Sequence, residues 1–254
     1  MKILVTGSTG YIAGAFAEEA DLISVRNDAW RGKTFAGYDA VLHTAGLAHV
    51  RENRRNQYDY FVVNRDLALD VAKKAKADGV PHFVFLSSIS VYGLESGHIT
   101  ASTPALPKTN YGRSKLAAES LIAALADDSF RVAILRPPMV YGAGCPGNYA
   151  RLRKLVALLP FFPSYKNARS VISIESLHTQ INAVIYGQKS GIFHPCDPVP
   201  LSTAEMAAAI AQEQGRRLRQ TRVFNIPIRI LTRYSRTFAK IFGSLTIDAE
   251  IQTN

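Results

Sequence analysis

The sequence predicts a doubly wound α/β fold, a parallel sheet covered by helices on both faces, followed by a smaller C-terminal lobe. Three observations carry this. Short apolar runs recur up to Arg136, long helix-compatible segments separate the later ones, and the alternation loosens beyond that point. Strands that alternate with helices join into a parallel sheet through right-handed crossovers. Such sheets bind ligands at the carboxyl ends of their strands.

The first apolar run, residues 2–6, ends in Gly-Ser-Thr-Gly, and residues 11–20 are alanine-rich and helix-compatible, so the chain opens as strand, glycine turn and helix. Further strands are predicted over 21–26, 39–43, 82–87 and 131–136, with helices over 52–77 and 111–126. Pro137, Pro138, Gly142, Gly144, Pro146 and Gly147 then make a loop, followed by shorter elements. The predicted division is 1–140 for the sheet domain and 141–254 for a lobe interleaved with it. Ser202 and Glu205 have capping-box spacing and open a helix that runs to about Gln214.

At 254 residues and 47% hydrophobic content, the chain can bury one substantial core and an appended lobe. No leader and no run of 18 apolar residues is visible, so a cytoplasmic setting without a membrane span is expected. Cys145 and Cys196 lack ligand or disulfide-scaffold spacing and read as free thiols. The histidines, His43, His49, His82, His98, His178 and His194, show no ligand spacing, so no metal is expected. Net charge is +10, and the excess is C-terminal: Arg216, Arg217, Arg219, Arg222, Arg229, Arg233, Arg236 and Lys240 occur with no acid between Gln214 and Ile247. Arg229, Arg233, Arg236 and Lys240 have the spacing of one stripe on a single helix, either a solvated face or a dock for a membrane surface. Nucleic-acid binding lacks a supporting fold or aromatic platform.

The turn Thr6-Gly7-Ser8-Thr9-Gly10 lies where the first strand meets the first helix, the place where a dinucleotide's pyrophosphate approaches bare backbone. The usual third glycine is replaced by Ala13, with Gly14 beside it. An acid at the end of the second strand takes ribose hydroxyls, whereas an arginine favours a 2′-phosphate. The chain has both, Arg26 and Asp28, which leaves NAD and NADP open.

Tyr111 and Lys115 stand four apart at the start of a helix, so phenol and ammonium share one face. Bringing a phenol from a pKa of about 10 to about 7 takes roughly 4 kcal/mol, which a nearby ammonium helps to supply. Ser88, at the end of the fourth strand, provides a neighbouring hydroxyl. A tyrosine so placed can exchange a proton with a substrate hydroxyl.

With Thr-Gly-x-x-Gly-Tyr-Ile at 6–12, Val-Leu-His-Thr-Ala-Gly-Leu at 41–47, Phe-Leu-Ser-Ser-Ile-Ser-Val-Tyr-Gly at 85–93, Tyr-Gly-Arg-Ser-Lys at 111–115 and Leu-Arg-Pro-Pro-Met-Val-Tyr-Gly at 135–142, the chain resembles the extended short-chain dehydrogenase/reductases. In particular it resembles nucleotide-sugar epimerases of the UDP-glucose 4-epimerase type. The resemblance implies a Rossmann-type domain over 1–140 and a substrate-binding lobe over 141–254. It implies that Gly7, Gly10, Tyr11 and Ile12 contact the pyrophosphate and that Thr44, Ala45 and Gly46 line the dinucleotide. Ser88, Tyr111 and Lys115 would be the catalytic triad, with Lys115 also on the nicotinamide ribose. Asn148 and Arg169 would reach the nucleotide sugar, Ser88 joining them. NAD, a UDP-linked substrate and a homodimer are implied.

Two departures matter. Related 4,6-dehydratases carry Thr-Asp-Glu where this chain has Ser88-Ile89-Ser90, which argues against dehydration. Relatives also continue past the Phe-Gly-Ser-Leu-Thr-Ile-Asp segment, so the lobe is expected to be shortened or the chain a fragment. The competing readings are an NADPH-dependent 4-keto-sugar reductase, hinted at by Arg26, and a non-catalytic dinucleotide sensor or scaffold.

Overall fold

The computed structural model describes residues 1–48, 50 and 52–252; His49 lies outside them. The first half of the chain contains β1 (Ile3–Thr6), α1 (Tyr11–Gly14), β2 (Asp21–Ile23), β3 (Ala40–His43), α2 (Gln57–Phe61), α3 (Leu67–Ala77), β4 (His82–Leu86), β5 (Gly97–Ile99) and α4 (Asn110–Ala123). The second half contains β6 (Arg131–Leu135), β7 (Met139–Tyr141), α5 (Asn148–Leu158), β8 (Phe161–Pro163), β9 (Val171–Ser173), α6 (Ile174–Tyr186) and β10 (Gly191–Phe193). It ends with α7 (Thr203–Glu213), β11 (Arg219–Thr221), α8 (Asn225–Tyr234), α9 (Arg236–Phe242), β12 (Leu245–Ile247) and α10 (Ala249–Gln252).

Six strands form one parallel sheet in the order β10-β6-β4-β3-β1-β2. Because both faces of β1, β3 and β4 are covered, these strands are apolar runs rather than alternating ones. On one face Ala68, Val71, Ala118 and Ile122 from α3 and α4 pack against Val41, Phe83 and Phe85. On the other, Leu177, Ile181 and Ile185 from α6 pack against Val5, Leu42 and Val84. The fold is the doubly wound one, and the strand order reverses between β1 and β3.

Several boundaries differ from the sequence expectation. Instead of a helix over 11–20, α1 makes one turn and the chain continues in short turns to Ala20, because β2 begins at Asp21 with no residues left for a loop. β2 stops at Ile23, not residue 26, because its partner β1 ends at Thr6 and the Ile23 carbonyl is capped by the amides of Gly7 and Ser8. The helix expected from 52 starts at Gln57 and contains one π turn, Val62–Asp66, between α2 and α3. The strand after Arg169 is confined to Val171–Ser173, since Ser173 caps α6, while Arg169 makes single bridges to Leu201 and Leu245. The basic stripe does not lie on one helix. Ser235 ends α8 and caps α9, placing Arg229 and Arg233 on one helix and Arg236 and Lys240 on the next.

The lobe is built from pairs: β7 with β9, β8 with β11, and β5 with β12, all parallel. Helices α5 and α7 close over Phe162, Val156, Ile210 and Cys145. The capping box of Ser202 and Glu205 is formed at the start of α7. Between these parts, α6 and β10 return to the main sheet.

Candidate active site

The reversal in strand order puts two loops side by side, the glycine turn after β1 and the Thr44-Ala45-Gly46 turn after β3. The Thr44 hydroxyl and amide and the Ala45 amide all donate to the Thr6 carbonyl, at 2.9, 3.0 and 3.1 Å. Gly7 has a φ of 105°, and a Cβ there would lie 2.8 Å from the Ala45 nitrogen. Only glycine permits this approach. Gly10 donates its amide to the Gly7 carbonyl and closes the turn. Ile12 packs against the main-sheet core, whereas the Tyr11 ring reaches into the lobe beside Cys145 and Tyr149. Burial, first of all, pushes the Tyr11 phenol up to about 12, and its oxygen has no hydrogen-bond partner among the described residues.

Arg26 and Asp28 lie past the end of β2, both exposed. Asp28 accepts from Arg31 Nε at 3.0 Å, and Arg31 also holds Asp70 at 2.7 Å. Arg26 has no ion pair among the described residues.

Ser88, Tyr111 and Lys115 come together at the carboxyl end of β4. Ser88 caps a 3₁₀ turn, Ile89–Tyr92, accepting from the Ser90 amide at 3.1 Å. Helix α4 is capped by Thr109, and the Glu52 carboxylate accepts from the amides of Asn110 and Tyr111 at 3.1 and 3.0 Å. At Gly112 a Cβ would lie 2.5 Å from the Ser90 carbonyl oxygen, so the missing side chain lets α4 press its first turn against the turn that carries Ser88. Burial raises the Tyr111 phenol, and the hydrogen bond with the Ser88 side chain opposes this. One helical turn on, Lys115 is buried with Nζ donating to the Leu86 carbonyl at 2.8 Å and lying 4.6 Å from the centre of the Phe85 ring. Burial lowers its ammonium to about 8, with Glu119 pulling the other way.

Three residues at this site carry weight that the sequence reading missed. Asn64, on the π turn, is buried; its amide oxygen accepts from the Leu47 amide at 2.7 Å and its nitrogen donates to Ser114 at 3.0 Å. A Cβ on Gly46 would lie 3.1 Å from Asn64 Oδ1 and 3.2 Å from Lys115 Nζ, so both atoms face one bare stretch of backbone. Glu119 and Arg136 form a buried pair, with Nη2 to Oε2 at 2.5 Å. Glu119 also accepts from Ser87, and Arg136 donates to the Tyr92 hydroxyl at 2.8 Å, which meets His194 at 2.7 Å. The pair therefore holds the residues on either side of the Ser88 turn. Glu119 follows Lys115 by four residues, a spacing that could have exposed it; nothing in the sequence signals a π turn at Asn64.

The two residues expected to meet substrate are on lobe elements. Asn148 is the exposed first residue of α5, after Gly147 with a φ of 77°. Arg169 is partly buried and donates from Nη1 to the Gly243 carbonyl at 2.7 Å. Among the described residues no group of three or more His, Cys, Asp or Glu could hold a metal, and no helix is long and apolar enough to cross a membrane.

The fold and the paired turns are those of a dinucleotide-binding α/β protein, and likeness to known sequences identifies the family. Residues 3–159 match the NAD dependent epimerase/dehydratase family, and the chain belongs to it. It is similar to the UDP-glucose 4-epimerase of Vibrio cholerae, 37% identical over 182 residues, covering 67% of this chain and 56% of that protein. It is also similar to the N-acetyl-alpha-D-glucosaminyl-diphospho-ditrans,octacis-undecaprenol 4-epimerase of Escherichia coli O157:H7, 25% identical over 212 residues, covering 80% and 63%. The chain thus spans little more than half the length of these curated relatives. Among solved structures, UDP-glucuronic acid 4-epimerase from Bacillus cereus, in complex with NAD, shares the fold at a TM-score of 0.74 and 17% identity over 100% of this chain and 92% of that one. A dTDP-4-dehydrorhamnose reductase from Clostridium acetobutylicum does so at 0.71 and 20%, over 87% and 83%.

Proposed function

We propose that the chain is a nucleotide-sugar epimerase acting at C4 of a UDP-linked hexose, with NAD as its cofactor. The observation that carries the reading is the buried Lys115, whose Nζ is held at the end of β4 one helical turn from Tyr111, with Ser88 against the phenol. The relatives named above support it, since both are 4-epimerases of a sugar carried on a diphosphate.

The residues present fit a dinucleotide. Gly7 and Gly46 leave bare backbone where a side chain would collide with Ala45 or with Asn64 and Lys115. Gly7, Gly10, Tyr11 and Ile12 would hold the pyrophosphate, and Thr44, Ala45 and Gly46 the far side of the cleft. When bound, a nicotinamide supplies a reversible hydride acceptor. Tyr111 takes the proton of the sugar hydroxyl and later returns it, Ser88 orients that hydroxyl, and Lys115 lends positive charge to the phenolate. Burial raises the phenol and the Ser88 hydrogen bond opposes it; positive charge from the Lys115 ammonium, one helical turn on, would favour the phenolate further and bring proton transfer toward neutrality. Arg169 and Asn148 would engage the nucleotide diphosphate and sugar.

One observation favours a second reading, an NADPH-dependent 4-keto-sugar nucleotide reductase. Asp28 is already engaged by Arg31, while Arg26 is free to meet a 2′-phosphate. The experiment is incubation of the purified protein with UDP-sugars and with 4-keto-sugar nucleotides, products being resolved by NMR and NADPH followed optically. A C4-inverted sugar without net cofactor consumption supports the epimerase; stoichiometric NADPH oxidation supports the reductase. A cytoplasmic homodimer belongs to the same proposal, and size-exclusion chromatography with light scattering tests the dimer.

A further inference from the structure

Helix α8 presents apolar side chains to solvent. Ile226, Ile230 and Tyr234, spaced four apart on one side of the helix, are 68%, 52% and 84% exposed, and Val223, in the turn leading into it, is 77% exposed. The opposite side is the one that packs, through the buried Ile228. Phe224 stacks on Phe161 of β8 at 6.2 Å, both partly open, so the apolar surface continues onto the neighbouring strand. A contiguous apolar patch rimmed by polar residues marks an interaction site.

Charge identifies what the patch meets. Arg229 and Arg233 run alongside the apolar row, and Arg217, Arg219 and Arg222 precede it; all five are exposed and none pairs with an acid among the described residues. No acidic residue occurs between Gln214 and Ile247. A protein partner would have to supply a dense acidic rim around an apolar centre. An anionic lipid surface supplies both at once, negative headgroups above a hydrocarbon layer. With ten residues, α8 is about 15 Å long, enough to lie in the interface and too short to span it.

We propose that α8, with the turn before it, docks this chain on an anionic lipid bilayer, the row Val223, Ile226, Ile230 and Tyr234 entering the headgroup region while Arg222, Arg229 and Arg233 meet lipid phosphates. α9 packs against α8 and ends at Gly243, the partner of Arg169, so the docked surface adjoins the lobe's candidate substrate arginine.

The test is co-sedimentation of the full chain with sucrose-loaded vesicles of phosphatidylcholine alone or with one-third phosphatidylglycerol, at low and high salt. Partition is expected only onto the phosphatidylglycerol vesicles and is expected to weaken with salt. Each basic residue near such a surface contributes about fivefold, so Arg222→Glu, Arg229→Glu and Arg233→Glu together should lower partition by at least ~100-fold. Ile226→Ser with Ile230→Ser should lower it by about tenfold or more. All five side chains face solvent, so circular dichroism and Tm should be unchanged. Arg54→Glu with Arg55→Glu, elsewhere on the surface, should leave partition within about twofold, because it lies outside the docking face. Three results would overturn the proposal: no partition of the folded protein, partition indifferent to the isoleucine pair, or self-association that the isoleucine variants abolish while no partition occurs.

Discussion

Strands β1, β3 and β4 are buried along their whole length, whereas every strand of the lobe's paired ribbons has at least one position that is not. Charge follows the same division, although the lobe also buries Asn167, Ser170 and Thr203. In the sheet half, His43, Asn64, Lys115, Glu119 and Arg136 are all buried, and each has a hydrogen-bond partner. In the lobe, the arginines from 216 to 236 are exposed. Proton transfer needs groups whose protonation and position are set by their surroundings, and a water-excluding core provides this. Recognition of a diphosphate or a lipid surface needs permanent charge that remains accessible, and a loosely packed lobe on the same scaffold provides that.

The sharpest way to break this contrast is at the phenol. Tyr111→Phe should lower kcat by roughly 10²–10⁴-fold, the range for a lost general acid–base group, with Tm and cofactor retention nearly unchanged. A variant within about tenfold of wild type would remove the sheet half from the chemistry.

Next comes the buried pair. Glu119→Ala leaves Arg136 without its carboxylate and should cost about 3–5 kcal/mol in urea unfolding, whereas Glu119→Leu with Arg136→Met should cost distinctly less. If the double variant is as unstable as the single one, the loss lies in packing and not in the stranded charge.

Acid stability separates the halves by a few kcal/mol. Burial and the Lys115 charge hold His43 down to about 3, and burial with Arg136 holds His194 down to about 4. An unfolded histidine titrates near 6.5, so as pH falls below that value the unfolded chain takes up protons that the folded chain refuses. Stability is full above about 6.5 and should fall by up to about 1.4 kcal/mol per pH unit for each histidine, to about 4 for His194 and about 3 for His43. His43→Gln should remove the His43 share of the loss, the part that continues to about 3, measured as Tm against pH.

The smaller effects belong to the lobe. Arg169→Ala should raise KM for the nucleotide sugar by about 10- to 150-fold, the loss of one charge-assisted contact. Replacing Arg229, Arg233, Arg236 and Lys240 by glutamine should change both KM and stability little, within about 0.5 kcal/mol, although Arg236 pairs with Glu95 at 3.0 Å. The reverse pattern would place the diphosphate on the outer helices.

How much of this was legible in the sequence followed the same division. The buried strands and α4 were readable because an apolar run or a capped periodic segment admits one packing. The glycine turn and the grouping of Ser88, Tyr111 and Lys115 were readable as arrangements, because each is a short fixed spacing at a strand end or a helix start. The extent of α1 was not, since composition allows a helix and only the position of β2 cuts it short. Arg26 and Asp28 were misplaced as strand-end residues for a related reason: β2 stops where its partner stops. The basic stripe was drawn on one helix because Ser235, an N-cap, was read through rather than as a boundary. Asn64 depends on a π turn that shifts register by one residue, which no periodicity reveals.

The chain between β2 and β3 forms a 3₁₀ turn, Asp28–Gly32, and a loop that buries Trp30 and Phe35 in place of another strand. β2 is therefore the margin of the sheet. A margin of this kind exposes unpaired amides and carbonyls that another chain can copy, the geometry from which ordered aggregates grow. Here it is three residues long and begins at Asp21, whose carboxylate meets Lys2 at 3.7 Å and the Tyr38 hydroxyl at 2.7 Å. A template so short and so charged offers little purchase to an incoming strand, so a fold that omits one strand protects itself from templated assembly by the brevity of the strand it keeps.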